Sequence, residues 1–406
     1  MVIAIESINP AFTIFTGDVV AHDVWLVNEP RVVTDLNTTY STFSALNLVY
    51  PSVGNHDTAP VNAFPPKGLN VSPSPQVEYD AMSADWHTWI GDAGAKSTDD
   101  YGSYSVRYPS GNLRMISFNS IFYYTLNFWM YEEPMQQDPS GQFAWLVNEL
   151  QAAENVGERA WLISHVPSGS SDFFHDYSNY FNQIIQRYEA TIAAMFYGHT
   201  HLDQFEVAYS DYSKRSFDNA IAMSYITPSM TPTSGPPSFR VYSVDPDTFG
   251  ILDFTEYTAD IYSGTAPTWT KYYSAKEAYG SLLTPPVTDP AAELTPAFWH
   301  NVTVLFENND SVFQQFIARK SRGYNATACT GSCKSDELCA LRAADSTFNC
   351  GKFTPGLHIN KRDDAPEQHR DQCEGSTFPS ILATITQDQE KFVSLVNQEV
   401  AARRRA

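Results

Sequence analysis

Four short runs of β-branched and aromatic residues in this chain each end in a small residue that is followed by Asp, Asn or His. The runs cover residues 12–15, 48–53, 160–163 and 192–197, and the polar groups after them are Gly17-Asp18, Gly54-Asn55, Ser164-His165 and Gly198-His199. Parallel strands of an α/β sheet deliver the residues that follow them to one edge of the sheet. We therefore predict an α/β fold in which these polar residues meet.

The side chains in these groups are of the types that bind divalent metals. Imidazole nitrogens and carboxylate or carboxamide oxygens hold borderline-hard ions, and one carboxylate can bridge two ions. We expect Asp18 to bridge, with the terminal ligands Asn55, His165, His199 and His201. Two ions in such a site clamp phosphate oxygens and activate bound water. The pattern thus predicts hydrolysis of a phosphate ester.

The same residues, taken in order, resemble the signature of the calcineurin-like metallophosphoesterases. The sequence around them is similar to that of the acid sphingomyelinase family over residues 15–25, 54–66 and 142–153, and on through Pro267-Thr268-Trp269 and Trp299-His300-Asn301 to the cysteines at 329–350. This resemblance covers most of the chain. It implies an α/β metallophosphoesterase sandwich of four layers, in which helices flank two mixed β-sheets, followed by a small helical domain with disulfides.

The resemblance also implies roles for individual residues. Two zinc ions are expected, one held by Asn55, His165 and His199 with Asp18, the other by His201 and Asp18. His56 is expected to act as the general acid that protonates the leaving alcohol, and His22 to stabilise the charge of the transition state. Asp23 and Asp57 are expected to orient neighbouring histidines. The implied reaction is hydrolysis of sphingomyelin to ceramide and phosphocholine by metal-activated water.

The chain departs from the family pattern at its start. The family has an Asp-x-His motif upstream of the Gly-Asp motif, and nothing before Asp18 supplies it; cysteines typical of a saposin-like domain are also missing there. Two interpretations follow: a truncated sequence, or a protein that has lost two ligands of the first metal. The second would make the chain an inactive phosphate-binding fragment. A further alternative is a secreted phosphodiesterase that acts on nucleotides or CDP-choline.

The acidic composition limits the choice of partner. The 406 residues carry a net charge of −21, which argues against a nucleic acid polymer, since phosphate backbones need clustered Lys and Arg. No apolar run reaches the roughly 18 residues of a membrane span. An acidic surface tolerates zwitterionic head groups, and the family resemblance implies a choline phospholipid substrate, which we expect to be reached through transient contact with a membrane surface. We also expect a monomer. Residues 122–131 are the densest aromatic segment, which suits either core packing or a lip that grips lipid or choline.

Cysteines and glycosylation sequons favour a protein outside the cytosol. Asn-x-Ser/Thr sequons occur at Asn37, Asn70, Asn301, Asn309 and Asn325. All five cysteines lie between 329 and 373, in spacings that suit disulfides better than a zinc module. Family resemblance implies the pairs Cys329–Cys333 and Cys339–Cys350, and leaves Cys373 over. Because of the cysteines and the sequons, we expect the natural full-length protein to be secreted, lysosomal or vacuolar, although the first residues of this chain lack the features of a signal peptide.

The chain order suggests three regions. Residues 1–265 form the expected catalytic domain, 266–354 a helical domain with the disulfides, and 355–406 a polar segment that ends in a helix over 380–405. Within the first region, residues 34–47 and 142–154 are predicted to be helices, while 204–209 and 220–226 are predicted to be strands of a second sheet. Within the second region, residues 271–279, 296–307, 311–321 and 335–343 are predicted to be helices.

Overall fold

The computed structural model describes residues 1–350, apart from residues 70, 73, 133 and 262–266, and the fold is given for these residues. The polar segment, the terminal helix and Cys373 lie outside the described residues, as does the boundary predicted between residues 265 and 266. Among the described residues, no helix is long and apolar enough to cross a membrane.

A six-stranded mixed sheet forms the main layer, in the order β3-β4-β5-β6-β8-β7. Its strands are β3 (Tyr104–Arg107), β4 (Leu113–Ser117), β5 (Arg159–Ile163), β6 (Ile192–Tyr197), β7 (Gln204–Tyr209) and β8 (Ala220–Ile226). The four central strands are parallel, and the edge strands β3 and β7 pair antiparallel. Strand β5 is a nearly continuous buried apolar run, which is typical of a parallel strand that is covered on both faces.

The second layer consists of two separate sheets. Strands β1 (Thr13–Phe15) and β2 (Val49–Pro51) form a parallel pair, while β9 (Ser238–Val244), β10 (Ile251–Ala259) and β11 (Trp269–Ser274) form an antiparallel sheet. Aromatic rings from this layer pack against rings of the main sheet. The ring centroids of Phe12 and Trp161 are 5.3 Å apart, and those of Tyr242 and Phe196 are 5.1 Å apart. The predicted α/β sandwich is confirmed, with the second layer divided between a parallel and an antiparallel sheet.

The helices before residue 200 are α1 (Val2–Ile8), α2 (Glu29–Phe43), α3 (Gln76–Tyr101), α4 (Gln142–Val156) and α5 (His175–Arg187). Helix α4 buries Phe143, Leu146 and Leu150, as its apolar spacing predicts. Helix α2 begins five residues before the predicted start at residue 34. Its first turn holds a proline, and the Asn28 side chain caps it by accepting a hydrogen bond from the amide of Arg31.

The prediction that residues 204–209 and 220–226 belong to a second sheet is wrong. Strand β8 lies parallel to β6 in the main sheet, and β7 folds back antiparallel on β8. Apolar residues in a strand indicate that its faces are buried, but they do not indicate which sheet the strand joins. The topology of the sheet is decided by pairing between strands that are distant in sequence, and a local pattern does not predict that pairing.

The helix predicted over residues 271–279 is also wrong. Residues 269–274 form β11 on the edge of the antiparallel sheet, and helix α6 covers only Ala275–Ala278. This strand holds aromatic residues that favour extended backbone. The later helices follow the prediction closely, as α7 (Pro296–Asn308), α8 (Asp310–Lys320) and α9 (Ser332–Leu341).

The cysteines of this region form the two implied disulfides. Cys329 is bonded to Cys333, and Cys339 is bonded to Cys350. Helix α7 packs against the main sheet through Trp299, whose indole nitrogen donates to the Tyr225 hydroxyl at 3.2 Å. Residues 296–350, which we call the C-terminal helical region, therefore lie directly on strands of the main sheet.

Candidate metal centre

The loops after four strands bring the predicted ligands together. Asp18 follows β1, Asn55 follows β2, His165 follows β5, and His199 and His201 follow β6. These strands are parallel to their neighbours, so their carboxyl ends share one edge of the sandwich. Local sequence thus places each residue on a loop, and the parallel pairing places the loops side by side.

Two glycines let the first two loops approach each other. A Cβ atom on Gly54 would lie 2.2 Å from the backbone nitrogen of Asp18, and one on Gly17 would lie 2.5 Å from the backbone nitrogen of Gly54. No side chain can replace either hydrogen without moving backbone. The close approach brings the Asp18 carboxylate to the amide of His56, which donates to Oδ1 at 2.9 Å.

Four potential ligand atoms converge at the centre of the site. Nε2 of His165 lies 3.1 Å from Oδ2 of Asp18 and 2.9 Å from Oδ1 of Asn55. Nδ1 of His199 lies 3.1 Å from the same Asn55 oxygen and 3.2 Å from Nε2 of His165. For a tetrahedral zinc ion with ligands near 2.0–2.1 Å, neighbouring ligand atoms are about 3.3 Å apart. The spacing and chemistry of these four atoms therefore fit a divalent metal.

The outer nitrogen of each ligand histidine has its own partner. Nδ1 of His165 donates to the backbone oxygen of Thr16 at 2.6 Å, and Nε2 of His199 lies 3.1 Å from the carboxylate of Asp172. Nδ1 of His201 lies 3.0 Å from the hydroxyl of Thr233. A carbonyl or carboxylate on one ring nitrogen turns the lone pair of the other toward the metal. These partners fix the rings in a ligating orientation.

Asn62 fixes the orientation of the potential ligand Asn55. The Asn55 amide nitrogen donates to the Asn62 side-chain oxygen at 2.9 Å, which leaves Oδ1 of Asn55 facing the histidines. No functional role was assigned to Asp172, Thr233 or Asn62 from the sequence. The signal for Asp172 was its place in the loop beyond His165, where an outer partner for a ligand is expected.

A second group of donors shares Asp18. Asp18, His22 and His201 each offer an atom within 4.8 Å of the others. The rings of His22 and His201 are nearly parallel, at an interplanar angle of 13° with centroids 4.9 Å apart. Lone pairs in parallel ring planes do not converge on one point, so this group is looser than the first. His22 thus lies beside a potential ligand pair, as well as beside His56.

His22 and His56 form a pair of rings next to the ligands. Their centroids are 4.1 Å apart, and His56 is 2% exposed. Burial lowers the pKa of His56 to about 4, although the charge of Asp18 opposes this shift. Burial likewise lowers the pKa of His22. A phosphodiester anion bound beside them would favour their protonated forms and raise both values.

The charges of Asp18 and His165 depend on each other. Burial acts to raise the pKa of Asp18, but His165 and His56 outweigh it and hold this pKa well below its usual range. Burial acts to lower the pKa of His165, but Asp18 outweighs it and the pKa is raised. A proton on His165 therefore occupies the place that a cation would take, since metal binding displaces protons from such ligands.

Asp57 does not orient a histidine, contrary to prediction. Its carboxylate accepts hydrogen bonds from the backbone amides of Gly54 at 2.7 Å, Val19 at 2.7 Å and Asp18 at 3.1 Å. It therefore joins the loop after β1 to the loop after β2. Asp23 is exposed.

Left-handed backbone is concentrated in the site. The φ angles are 63° at Asp18, 67° at Asn62, 68° at His199 and 60° at His201. Asp, Asn and His tolerate this region better than most residues, yet it still costs conformational energy. Such strain persists where the surrounding contacts hold the chain, which is typical of functional sites.

The aromatic segment divides between core and surface. Phe122, Tyr123 and Tyr124 are buried, and the Tyr124 ring lies 5.0 Å from that of His199. Phe128 and Tyr131, further along, are 45% and 37% exposed. The first part of this segment therefore packs in the core, and the second part offers exposed apolar surface.

Comparison with known proteins identifies the family. Residues 3–203 match the family described as Calcineurin-like phosphoesterase. Human sphingomyelin phosphodiesterase is 35% identical over 356 residues, which cover 84% of this chain and 54% of the human protein. Sphingomyelin phosphodiesterase 1 of Caenorhabditis elegans is 31% identical over 84% of this chain and 59% of its own length.

A mouse protein described as a cyclic GMP-AMP phosphodiesterase is 28% identical, over 83% of this chain and 75% of its own length. The chain spans about half the length of the human relative. The ordered ligand loops and the similarity over most of this chain lead to one assignment. The chain belongs to the acid sphingomyelinase family of calcineurin-like metallophosphoesterases.

Proposed function

We propose that this chain is the catalytic part of a metal-dependent phosphoric diester hydrolase that cleaves sphingomyelin to ceramide and phosphocholine. The observation that carries the proposal is the convergence of Asp18, Asn55, His165 and His199, whose neighbouring ligand atoms lie 2.9–3.2 Å apart. The similarity to sphingomyelin phosphodiesterases over 84% of the chain supports the choice of substrate.

Zinc is the proposed metal, because imidazole and oxygen donors in this number suit it. Asp18, Asn55, His165 and His199 would hold one ion, and Asp18 with His201 would contribute to a second. When bound, such ions polarise phosphate oxygens and activate water. Asp57, Asp172 and Asn62 support these ligands through the hydrogen bonds described above, so that they are oriented before the metal binds.

The two remaining histidines act on the phosphodiester. His56 is the proposed general acid, which donates a proton to the oxygen of the departing ceramide. His22, whose ring lies against that of His56, binds the negative charge of the phosphate oxygens. Both imidazoles must be protonated for these roles, and the negative charge of the bound phosphodiester favours their protonated forms.

The surroundings support a lipid substrate and a protein outside the cytosol. Phe128 and Tyr131 give apolar surface that can contact a membrane containing choline phospholipid, and we propose that this contact is transient. The two disulfides suit an oxidising compartment, so we propose secretion or delivery to a lysosome or vacuole. Asn37, Asn301, Asn309 and Asn325 are exposed and are proposed glycosylation sites; Asn70 lies outside the described residues.

The organisation of the chain is part of the proposal. We retain a catalytic domain over residues 1–265, a helical domain with the disulfides over 266–354 and a separate segment over 355–406. Pairing of β11 with β10 links the first two regions through one sheet. We also propose that the protein acts as a monomer.

The experiment that tests the function compares two choline-containing substrates. Phosphocholine release is measured from sphingomyelin in detergent micelles and from CDP-choline, using the purified chain with added zinc. The matched control is Asp18→Asn, purified in parallel, which removes the shared carboxylate and reports any contaminating activity. We expect the unmodified chain to release phosphocholine from sphingomyelin and the Asp18→Asn variant to release none. Cleavage of CDP-choline without cleavage of sphingomyelin would overturn the lipid substrate.

A further inference from the structure

The end of helix α8 contacts the loop that carries two of the candidate ligands. This loop, residues 198–203, is called the metal-ligand loop here. The backbone amide of Asp203 donates to the backbone oxygen of Lys320 at 3.0 Å. A guanidinium nitrogen of Arg322 donates to the backbone oxygen of His201 at 2.8 Å. The C-terminal helical region therefore touches the ligand loop at two of its residues.

The backbone at Arg322 has an uncommon conformation. Its φ angle is 53°, in the left-handed region where helix C-termini usually place glycine. The following residue, Gly323, has a φ of 82°, and its amide donates to the backbone oxygen of Ala318 at 2.8 Å. A residue with a long side chain in the left-handed region costs conformational energy, so the contacts of Arg322 must hold it there.

The guanidinium of Arg322 joins three backbone segments. Besides His201, it donates to the oxygen of Lys320 at 3.0 Å and to that of Pro236 at 3.2 Å. Arg322 is only 5% exposed. The neighbouring Gly235 makes room for it, because a Cβ there would lie 2.9 Å from the guanidinium carbon. The loop with Pro236 also holds Thr233, whose hydroxyl contacts the His201 ring.

The other end of the metal-ligand loop is held by buried charges. Asp203 accepts from Arg240 at 2.6 Å and from the hydroxyl of Tyr273. Arg240 also pairs with Glu256 at 2.9 Å, and both of these side chains are almost completely buried. Because Asp203 is fixed in this way, the position of His201 depends on the short stretch between Asp203 and His199. Arg322 binds within that stretch.

We propose that Arg322 is a positioning residue for His201, so that the C-terminal helical region completes the metal centre. The inference rests on the proposed function, in which His201 is a ligand. Arg322 holds the carbonyl of His201, while Thr233 holds its ring. Together they hold His201, whose backbone is in the left-handed region, where one of its ring nitrogens lies within 4.8 Å of the Asp18 carboxylate.

The test measures zinc affinity in the full 406-residue chain. Arg322→Met is compared with Arg342→Met, a matched control in the same region. Arg342 also makes side-chain hydrogen bonds through its guanidinium, but to Thr303 and Glu307 rather than to the ligand loop. Zinc per chain is measured at a series of buffered free zinc concentrations, together with thermal unfolding and hydrolysis of bis-p-nitrophenyl phosphate.

We expect Arg322→Met to weaken binding of one zinc ion by roughly 10- to 100-fold, as loss of an outer partner does. Arg342→Met should keep the zinc affinity of the unmodified chain even where its melting temperature falls. Arg322→Lys keeps the cation but offers one ammonium group to three carbonyls, so an intermediate loss is expected. It serves in place of the methionine variant if that variant does not fold.

The outcomes separate this inference from the proposed function. Unchanged zinc affinity in a folded Arg322 variant would overturn the positioning role alone. Equal losses in the Arg322 and Arg342 variants would also overturn it, since they would reflect general destabilisation. An unmodified chain that binds no zinc would overturn both the proposed function and the inference.

Discussion

The carboxylate of Asp57 accepts a hydrogen bond from the backbone amide of Val19 at 2.7 Å, across 38 residues of sequence. Its other oxygen accepts from the amides of Gly54 and Asp18. One buried side chain thus holds the two loops that present Asp18 and Asn55. The metal centre is built on this connection, because neither loop belongs to the main sheet.

Replacing Asp57 with Asn should separate these loops. An amide has one acceptor oxygen where the carboxylate uses two, so at least one buried backbone amide loses its partner. We expect the free energy of unfolding to fall by about 1–3 kcal/mol and zinc affinity to fall by about 10-fold or more. Urea unfolding and zinc titration measure both. The exposed Asp23→Asn serves as the control, and an Asp57 variant that behaves like it would contradict this role.

Replacing His56 with Gln should slow the reaction in a way that depends on the leaving group. A general acid contributes about 10²- to 10⁴-fold, and it matters most for a poor leaving group such as the ceramide alcohol. We therefore expect a large loss of kcat on sphingomyelin and a small loss on bis-p-nitrophenyl phosphate, with zinc content unchanged. Equal losses on both substrates would show that His56 does not donate the proton.

Glu206 should contribute more stability in acid than at neutral pH. Burial raises the pKa of Glu206 to about 8, although the Gly169 amide opposes this shift by donating to it. Between about pH 4.5 and 8 the folded state therefore binds more protons than the unfolded state. The stabilisation is complete below this window and is lost as the pH rises through it.

We expect the free energy of unfolding to fall by on the order of 3–4 kcal/mol from pH 5 to pH 8 through this group. Glu206→Gln keeps an acceptor for Gly169 but does not titrate, so its stability should change less over the same range. Urea unfolding at several pH values provides the comparison, with the exposed Glu6→Gln as control. If Glu206→Gln and the unmodified chain show the same slope, the carboxyl of Glu206 does not account for the pH dependence.

The exposed aromatic surface should matter only for membrane substrates. Phe128 is 45% exposed, and Phe128→Ser removes apolar area without touching a ligand. We expect slower hydrolysis of sphingomyelin in vesicles and an unchanged rate on soluble bis-p-nitrophenyl phosphate. Phe217 is 55% exposed and precedes β8, at the edge of the sheet opposite to the ligands, so Phe217→Ser is the matched control. Equal effects of the two variants would argue against a membrane-contacting surface at Phe128.

Much of the site could be predicted from the sequence because ligand loops follow strands. Asp18, Asn55, His165, His199 and His201 all follow short strand-like runs, and parallel pairing then brings them together. The disulfide pairs came from the family resemblance rather than from spacing. The sequence pattern was weaker where pairing between distant segments decides the structure, as for β7, β8 and β11.

The partners of the ligands could not be predicted for the same reason. Asp172, Thr233 and Arg322 meet the histidines across loops that have no periodic pattern. Arg322 comes 121 residues after His201. Asp57 was assigned to a neighbouring histidine on proximity in sequence, whereas its acceptors are satisfied by backbone amides of two loops. Hydrogen-bond partners of this kind depend on three-dimensional placement.

The central claim is metal-dependent phosphodiester hydrolysis at Asp18, and one paired measurement tests it most directly. Zinc content and hydrolysis of bis-p-nitrophenyl phosphate are measured on the same sample of the 406-residue chain, before and after a zinc chelator, alongside Asp18→Asn. We expect bound zinc and turnover that the chelator abolishes and added zinc restores, with neither in the variant. Turnover that survives in Asp18→Asn, or an unmodified chain that binds no metal and shows no turnover, would contradict the claim.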